Sequence, residues 1–137
     1  MPLDRTQLVT LAEQQYFEAC NAGDLPTVLS NFARDCRIRF AAAEFQYVGM
    51  DAIKTHFEEF VATFAQIDFR DCRSVVDVEA QTIAVQFEVE LVDHDGNSTV
   101  MQNCNFFRVN SEGKFSDVMI YNSAPLEDGF EAGSEAR

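Results

Sequence analysis

The sequence predicts an α+β domain in which a strongly curved, mixed or antiparallel sheet wraps around three helices from the N-terminal half of the chain. Apolar residues recur with helical spacing in three segments before residue 65, and they alternate with a period of two in four long segments after it. No internal repeat interrupts this order. We assign residues 1–122 to this domain and residues 123–137, which are acidic and rich in glycine, to a flexible tail.

Three helices are predicted. The first runs from Asp4, an N-cap that Gln7 can complete as a capping box, to Gly23. One face of this helix is mostly apolar and carries a tyrosine inward: Leu8, Leu11, Ala12, Gln15, Tyr16, Ala19 and Cys20. Asp24 caps the second helix, and residues 51–64 form a third helix that is the most aromatic element of the chain.

Strand periodicity begins at Asp35. Alternation directs Cys36, Ile38 and Phe40 inward, and an extended segment around residues 45–47 follows. Four longer strands are predicted at residues 67–78, 82–92, 99–110 and 115–122, and their short turns favour an antiparallel meander.

Two arginines point to the opposite face of the first strand. We expect Arg37 and Arg39 to form cross-strand ion pairs with Glu88 and Glu90, which lie on the polar face of a later strand. A clamp for a substrate carboxylate is the alternative role for the two arginines.

Charge and cysteine content exclude several classes of function. The net charge of −13 repels nucleic acid and anionic membranes, and no apolar run approaches the ~20 residues of a membrane helix. The four cysteines match no zinc or redox spacing, and the two histidines stand apart, so we predict no metal and no cofactor. Reduced thiols in the cytoplasm are expected, with an extracellular disulfide as the alternative.

The aromatic content is unusual, with 13 phenylalanines and no tryptophan. Such a composition suits a pocket for an apolar molecule, and it equally suits an ordinary core or a subunit interface.

Loose motifs in a specific order resemble the nuclear transport factor 2-like superfamily, which includes SnoaL-like polyketide cyclases and ketosteroid isomerases. The motifs are Tyr16 with Asn21-Ala-Gly-Asp-Leu25, Phe32-Ala33 followed by Asp35, Gly49 with Ala52-Ile53, and Asn105-Phe-Phe-Arg-Val109 with Gly113-Lys114. The resemblance runs from about Leu8 to Asn122. It implies a cone-shaped fold with an apolar cavity at its wide end, and frequent homodimerisation.

The resemblance to the isomerases implies that Tyr16 and Asn105 bind a developing oxyanion, with Asn105 in the place of that family's protonated aspartic acid. Phe40 occupies the position of their general-base aspartate and cannot move a proton, so that reaction is not expected here. No inward aspartate has an arginine beside it, which disfavours an epoxide hydrolase of the superfamily. His56 is the candidate replacement base, and a surface or structural role is its alternative.

The alternation of residues along the strand at 99–110 directs the side chains of Asn103 and Asn105 towards the core. The predicted ligand-binding residues are Phe40, Phe57, Phe60, Phe87, Asn103, Phe107 and Asn122. They would bind a small apolar molecule with a carbonyl or hydroxyl group, unless the amides bond one another, Tyr16 and a trapped water. Two functions therefore stay open: a cofactor-independent isomerase, cyclase or lyase, and a non-catalytic homodimeric binding or interaction module.

Overall fold

The protein is described by a computed structural model over residues 2–43 and 45–123, and this part of the chain has the predicted α+β fold. A curved, open sheet of six strands has the order β2-β1-β6-β5-β4-β3. Neighbouring strands are antiparallel, except that β1 and β6 are parallel. The elements are α1 (Arg5–Thr10), a π-helical segment (Leu11–Glu18), α2 (Ala19–Ala22), α3 (Leu25–Ser30), β1 (Phe32–Phe40), β2 (Phe45–Val48), α4 (Met50–Thr63), β3 (Phe64–Asp77), β4 (Thr82–Asp93), β5 (Ser98–Val109) and β6 (Phe115–Tyr121).

The segments α1, π and α2 form one continuous helix, called the first helix below. Its predicted capping box is confirmed: Asp4 Oδ1 accepts the Gln7 N–H at 2.8 Å, and Gln7 Oε1 accepts the Asp4 N–H at 2.9 Å. Gly23 ends the helix with a φ of +69°, a left-handed conformation that costs glycine little.

The buried face of the first helix differs from the prediction at two positions. Gln15 is exposed, whereas Phe17 is only 1% exposed and packs in the core. The prediction assumed regular α-helical winding throughout, but the central segment is wound more widely, as a π-helix. This wider winding places Tyr16 and Phe17 side by side on the buried face.

Two side-chain amides hold the first helix against the sheet. Gln81, in the β3–β4 turn, accepts the Leu3 N–H at 3.0 Å and donates to the Leu3 carbonyl at 2.9 Å. Asn21 accepts the Phe69 N–H at 2.7 Å and donates to the Phe69 carbonyl at 2.9 Å. Each side-chain amide therefore bonds both the backbone N–H and the backbone carbonyl of one residue, as a neighbouring strand would. We call these two pairs of hydrogen bonds the two amide clamps.

The clamp at Asn21 also protects an edge strand. β3 is the last strand of the sheet, and Phe69 turns its N–H and carbonyl away from β4 towards the helix. An unpaired edge can pair with another chain, so the side chain of Asn21 blocks that edge at one residue.

The strand predictions are confirmed with small shifts of their ends, and Phe64 begins β3 instead of ending α4. The predicted partners of the two arginines are wrong. Arg37 and Arg39 both contact Asp117, because β1 pairs with β6. Arg70 on the neighbouring strand β3 contacts Glu88 and Glu90 in their place.

The inner face of the sheet and the first helix share a core rich in phenylalanine. Its largest fully buried side chains include Phe17, Phe87, Phe107 and Phe115. In residues 2–43 and 45–123 we find no helix of the length and apolarity that a bilayer crossing requires. Apart from Ser123, the predicted tail lies outside the described residues.

We predict that Asn21→Ala lowers the free energy of unfolding by about 1–2 kcal/mol, since it removes two hydrogen bonds from the edge of β3. Urea denaturation followed by circular dichroism measures the change. Gln14→Ala, an exposed substitution on the same helix, is the control and should leave the midpoint unchanged. Equal stability of the two variants would show that the clamp at Asn21 is energetically neutral.

Candidate functional site

A cavity lies between α4, the first helix and the inner face of the sheet. Six of its ten lining residues are phenylalanine or tyrosine, and four of the ten can form side-chain hydrogen bonds. The lining residues are Tyr16, Phe40, His56, Phe57, Phe60, Phe69, Phe87, Asn103, Asn105 and Ile120. The cavity measures about 30 Å³, and about 350 Å³ of empty space is present when its opening to solvent is included.

This volume is small for a ligand-binding site, and a nearly solid core favours the non-catalytic module over a ligand-binding protein. A site for a drug-sized ligand encloses ~300–1,000 Å³, whereas about 30 Å³ holds only one or two water molecules. The phenylalanine rings fill most of the hollow themselves. A larger ligand can therefore enter only if some of these rings move.

Three polar side chains are buried at this cavity: His56 (5% exposed), Asn103 (4%) and Asn105 (2%). Asn103 is partly satisfied, because its Oδ1 accepts the Ser123 N–H at 3.1 Å. His56 Nδ1 and Asn105 Oδ1 have no hydrogen-bond partner among the described residues. No described side chain satisfies Asn105 Oδ1 directly, and the alternative in which a trapped water bonds it stays open, since the cavity has room for one or two water molecules.

Tyr16 comes from the π-helical segment and is almost fully buried. Its ring lies edge-on to those of Phe107 and Phe115, with centroids 5.5 and 5.8 Å away. Burial, followed by interactions with the Cys20 thiol, raises the pKa of Tyr16 well above its ordinary value. The phenol is neutral at physiological pH, as it would be at its ordinary pKa of 10.0, and its hydroxyl already interacts with the Cys20 thiol.

His56 lies inside an aromatic box formed by α4, β1 and β2. Its ring is 4.4 Å from that of Tyr47, 5.0 Å from that of Phe57 and 5.8 Å from that of Phe40. Burial lowers the pKa of His56 from 6.5 to about 4. The surface role considered for this residue is therefore wrong: His56 is buried and neutral at pH 7.

Eight of the ten predicted site residues line the cavity. The two exceptions are Phe107 and Asn122. Phe107 is fully buried behind Tyr16, with a centroid distance of 5.5 Å. Asn122 has both amide atoms buried without a hydrogen-bond partner among the described residues, but it does not reach the cavity wall.

Two lining residues, Phe69 and Ile120, were not predicted. Ile120 follows the inward-facing Val118 at the strand period, so parity alone could have identified it. Phe69 was harder to place because β3 contains a bulge between Arg70 and Arg73, where Asp71 has a φ of +56°. A bulge reverses the apparent parity of a strand, so alternation along residues 67–78 is misleading.

Metal-ligating side chains do not gather at this site. Within the described ranges, no group of three or more histidine, cysteine, aspartate or glutamate residues is placed to hold a metal ion.

We predict that stability falls as the pH drops from 6.5 to 4, because the unfolded chain binds a proton at His56 that the folded chain excludes. His56 contributes its full stabilisation above pH 6.5, and about 3 kcal/mol of it is lost by pH 4. Chemical denaturation across this range measures the slope. His56→Gln should flatten the slope, and a slope identical to that of the wild-type protein would contradict a buried neutral imidazole.

Comparison with solved structures places this architecture among known folds. A candidate polyketide cyclase from Xanthomonas campestris pv. campestris superposes with a TM-score of 0.77 at 22% identity, covering 85% of this chain and 90% of that one. AusH from Aspergillus nidulans gives 0.78 at 18% identity, covering 95% and 92%. BvnE pinacolase from Penicillium brevicompactum gives 0.75 at 17% identity, covering 87% of both chains. At these identities the likeness shows the fold alone.

Comparison of sequences gives a family. No curated protein matches the chain. The family model described as the SnoaL-like domain matches residues 14–118, which include the π-helical segment from Gln14 onward and every residue that lines the cavity except Ile120. The chain belongs to the SnoaL-like family of the nuclear transport factor 2-like superfamily.

Proposed function

We propose that the protein binds a small, mostly apolar molecule with an oxygen-containing group in the cavity described above, and that it acts on this molecule by proton transfer. One observation carries the proposal: neutral polar side chains are buried together in an aromatic hollow, and two of their atoms lack hydrogen-bond partners among the described residues. A ligand with a polar group would supply those partners.

The energetic argument concerns His56 and Asn105. A buried polar atom without a partner costs about 1–3 kcal/mol, and an ordinary core avoids such a cost by using apolar side chains. Two such atoms in one small cavity are expensive for a purely structural core unless trapped water satisfies them, which is the alternative explanation. Retaining them makes sense if the folded protein spends part of its time with a ligand bound.

The chemistry of the cavity favours stabilisation of negative charge on a ligand oxygen. Tyr16 and Asn105 both carry hydrogen-bond donors, and neither bears a charge that would need to be neutralised. Phe40 lines the same cavity as an apolar wall, so the proton would have to move through another group.

His56 is that group in our proposal. A pKa of about 4 makes the free imidazole a weak base at pH 7. An oxyanion formed in the same cavity would raise this pKa, because a nearby opposite charge favours the protonated ring. Proton uptake by His56 and charge development on the ligand would therefore assist each other.

The solved structures that resemble this chain are consistent with such a role. They include a candidate polyketide cyclase and a pinacolase. We extend to this chain only the general expectation that the fold can hold an organic substrate.

We predict that Asn105→Leu raises the free energy of unfolding of the ligand-free protein by about 1 kcal/mol, since it removes a buried amide oxygen without a partner among the described residues. The same variant should lose at least tenfold in affinity for 2-naphthol, an apolar probe with a hydroxyl group, measured by the fluorescence of the probe. Native mass spectrometry of the purified wild-type protein should also reveal any small molecule retained from expression.

Either of two results would count against ligand binding at Asn105. A destabilised Asn105→Leu variant would show that the amide has a structural role. Unchanged 2-naphthol affinity, in a variant whose melting curve is cooperative, would place the probe elsewhere.

A second candidate function is a non-catalytic homodimeric module, which the exposed outer face of the sheet favours. Val75 (71% exposed), Phe106 (45%) and Tyr121 (46%) are large apolar side chains on this face. Strand register joins Val75, Ala84, Phe106 and Met119 into one row across four strands. Contiguous exposed apolar surface is a common mark of protein–protein contact.

Charges flank this row in a self-complementary way. Arg37 and Arg39 share the single acid Asp117 near one end, which leaves an excess of positive charge. Asp68, Glu88 and Glu90 surround the single base Arg70 towards the opposite end, which leaves an excess of negative charge. Two copies packed face to face could therefore place each positive cluster on the other's negative cluster.

We predict that Phe106→Lys converts a dimer into a monomer, because it places a charge at the centre of the apolar row. Sedimentation velocity measures the oligomeric state. Val78→Lys, a change of the same kind in the β3–β4 turn, is the matched control and should leave the dimer intact. A wild-type protein that sediments as a monomer at tens of micromolar would remove this second candidate.

A further inference from the structure

The side chain of Asn122 has no role in the site described above, although it lies next to that site. Its two amide atoms, Oδ1 and Nδ2, are both buried and both lack a hydrogen-bond partner among the described residues. A side-chain amide can donate two hydrogen bonds and accept two, so its burial without a partner is costly. Because neither end is satisfied, this cost is the same for either orientation of the amide.

Alternation along β6 directs Asn122 to the inner face of the sheet. Val118 is only 1% exposed and Ile120 lines the cavity, so the next residue on that face is Asn122. Two residues of a strand span about 7 Å, which places Asn122 one such step beyond Ile120. β1 ends at Phe40, the partner of Ile120, so Asn122 lies past the end of that strand.

Across the sheet, Asn122 is the neighbour of Asn103 on β5. The register pairs Tyr121 with Cys104, so the next pair of the antiparallel ladder is Asn122 with Asn103. The Ser123 N–H donates to Asn103 Oδ1 at 3.1 Å, which holds the two segments together. Asn103 is thus bonded to the backbone that follows Asn122 and leaves the Asn122 amide unsatisfied. Since Asn103 lines the cavity, a ligand that contacts Asn103 is also close to Asn122.

We propose that Asn122 forms a second polar subsite of this cavity, and that the ligand is an apolar molecule with two oxygen-containing groups, one at each end. The inference rests on the proposed function, because it concerns the same ligand. One oxygen lies at His56 and Asn105, and the second, a hydroxyl or a carbonyl, bonds Asn122. The apolar body of the ligand contacts Phe40 and Ile120, which line the cavity between these two points.

The sheet determines how far apart the two oxygens must be. Asn105 pairs with Ile120, so Asn122 is the diagonal neighbour of Asn105 across β5 and β6. Diagonal neighbours in an antiparallel pair lie about 7–8 Å apart. The two oxygens of 2,6-dihydroxynaphthalene, at opposite ends of the ring system, have a similar separation. Those of 2,3-dihydroxynaphthalene are on adjacent carbons and are much too close to bond both amides.

Binding of three related probes tests the proposal. We expect 2,6-dihydroxynaphthalene to bind the wild-type protein at least tenfold more tightly than 2-naphthol, measured by probe fluorescence, because its second hydroxyl gives Asn122 a partner. 2,3-Dihydroxynaphthalene should bind within threefold of 2-naphthol. Asn122→Leu should bring the affinities for 2,6-dihydroxynaphthalene and 2-naphthol within twofold of each other. Gln102→Leu, an exposed substitution on the opposite face of β5, is the matched control and should keep the wild-type ratio.

The side-chain NH₂ resonances of Asn122 report the contact directly. Their absence from the spectrum of Asn122→Leu identifies them, and Asn122→Ala serves the same purpose if the leucine variant does not fold. We expect these resonances to shift when 2,6-dihydroxynaphthalene binds the wild-type protein, and to shift much less when 2-naphthol binds.

Failure of this inference differs from failure of the proposed function. If the wild-type protein binds 2-naphthol and 2,6-dihydroxynaphthalene equally, the second subsite is refuted and the proposed function stands. An affinity ratio that is the same in wild type and Asn122→Leu would also refute the subsite, since the second hydroxyl would then bind elsewhere and a trapped water would explain Asn122. If none of the three probes binds, the proposed function and the second subsite are lost together.

Discussion

The fixed span of the first helix is the constraint on which the rest of this structure depends. Two side-chain amides bond Leu3 and Phe69 through both backbone groups, so the helix is tied to the sheet at its two ends. A helix that cannot change its length must fit its residues between these points. The π-helical segment lies between these two points, and it places Tyr16 and Phe17 together in the core.

The cavity follows from this placement. Tyr16 supplies one wall, α4 supplies His56, and β5 supplies the amides, while phenylalanine rings occupy most of the remaining volume. Such surroundings exclude charge: burial raises the pKa of Tyr16 and lowers that of His56, so both side chains stay neutral. A ligand of the kind we propose would therefore have to be neutral when it enters the cavity.

Much of this fold could be predicted from the sequence because its signals are local. Asp4 and Gln7 form a cap within one turn, and β5 alternates cleanly enough to direct Asn103 and Asn105 inward. Partners distant in sequence were harder to predict. Arg39 contacts Asp117 only because β1 runs parallel to β6, and nothing near Arg39 in the sequence indicates that pairing.

The prediction that failed inside the first helix is more informative. Regular periodicity assigned Gln15 to the buried face, whereas the structure buries Phe17. Both assignments place Tyr16 in the core. They differ in the neighbour of Tyr16 that is buried with it, which is Gln15 for a regular α-helix and Phe17 for the π-helical segment. The size of the cavity could not be predicted for a related reason: composition indicates how many rings are buried, but not whether they fill a hollow or line it.

Aromatic packing and buried polar groups have opposing effects in this protein. A core of phenylalanine alone would avoid the cost of burying the polar side chains of His56 and Asn105. An open pocket would lose the packing contacts between rings on its opposite walls. The structure combines a nearly filled hollow with polar atoms that lack partners among the described residues. A ligand of the kind we propose would give these atoms partners, but it could enter only after some of the rings had moved.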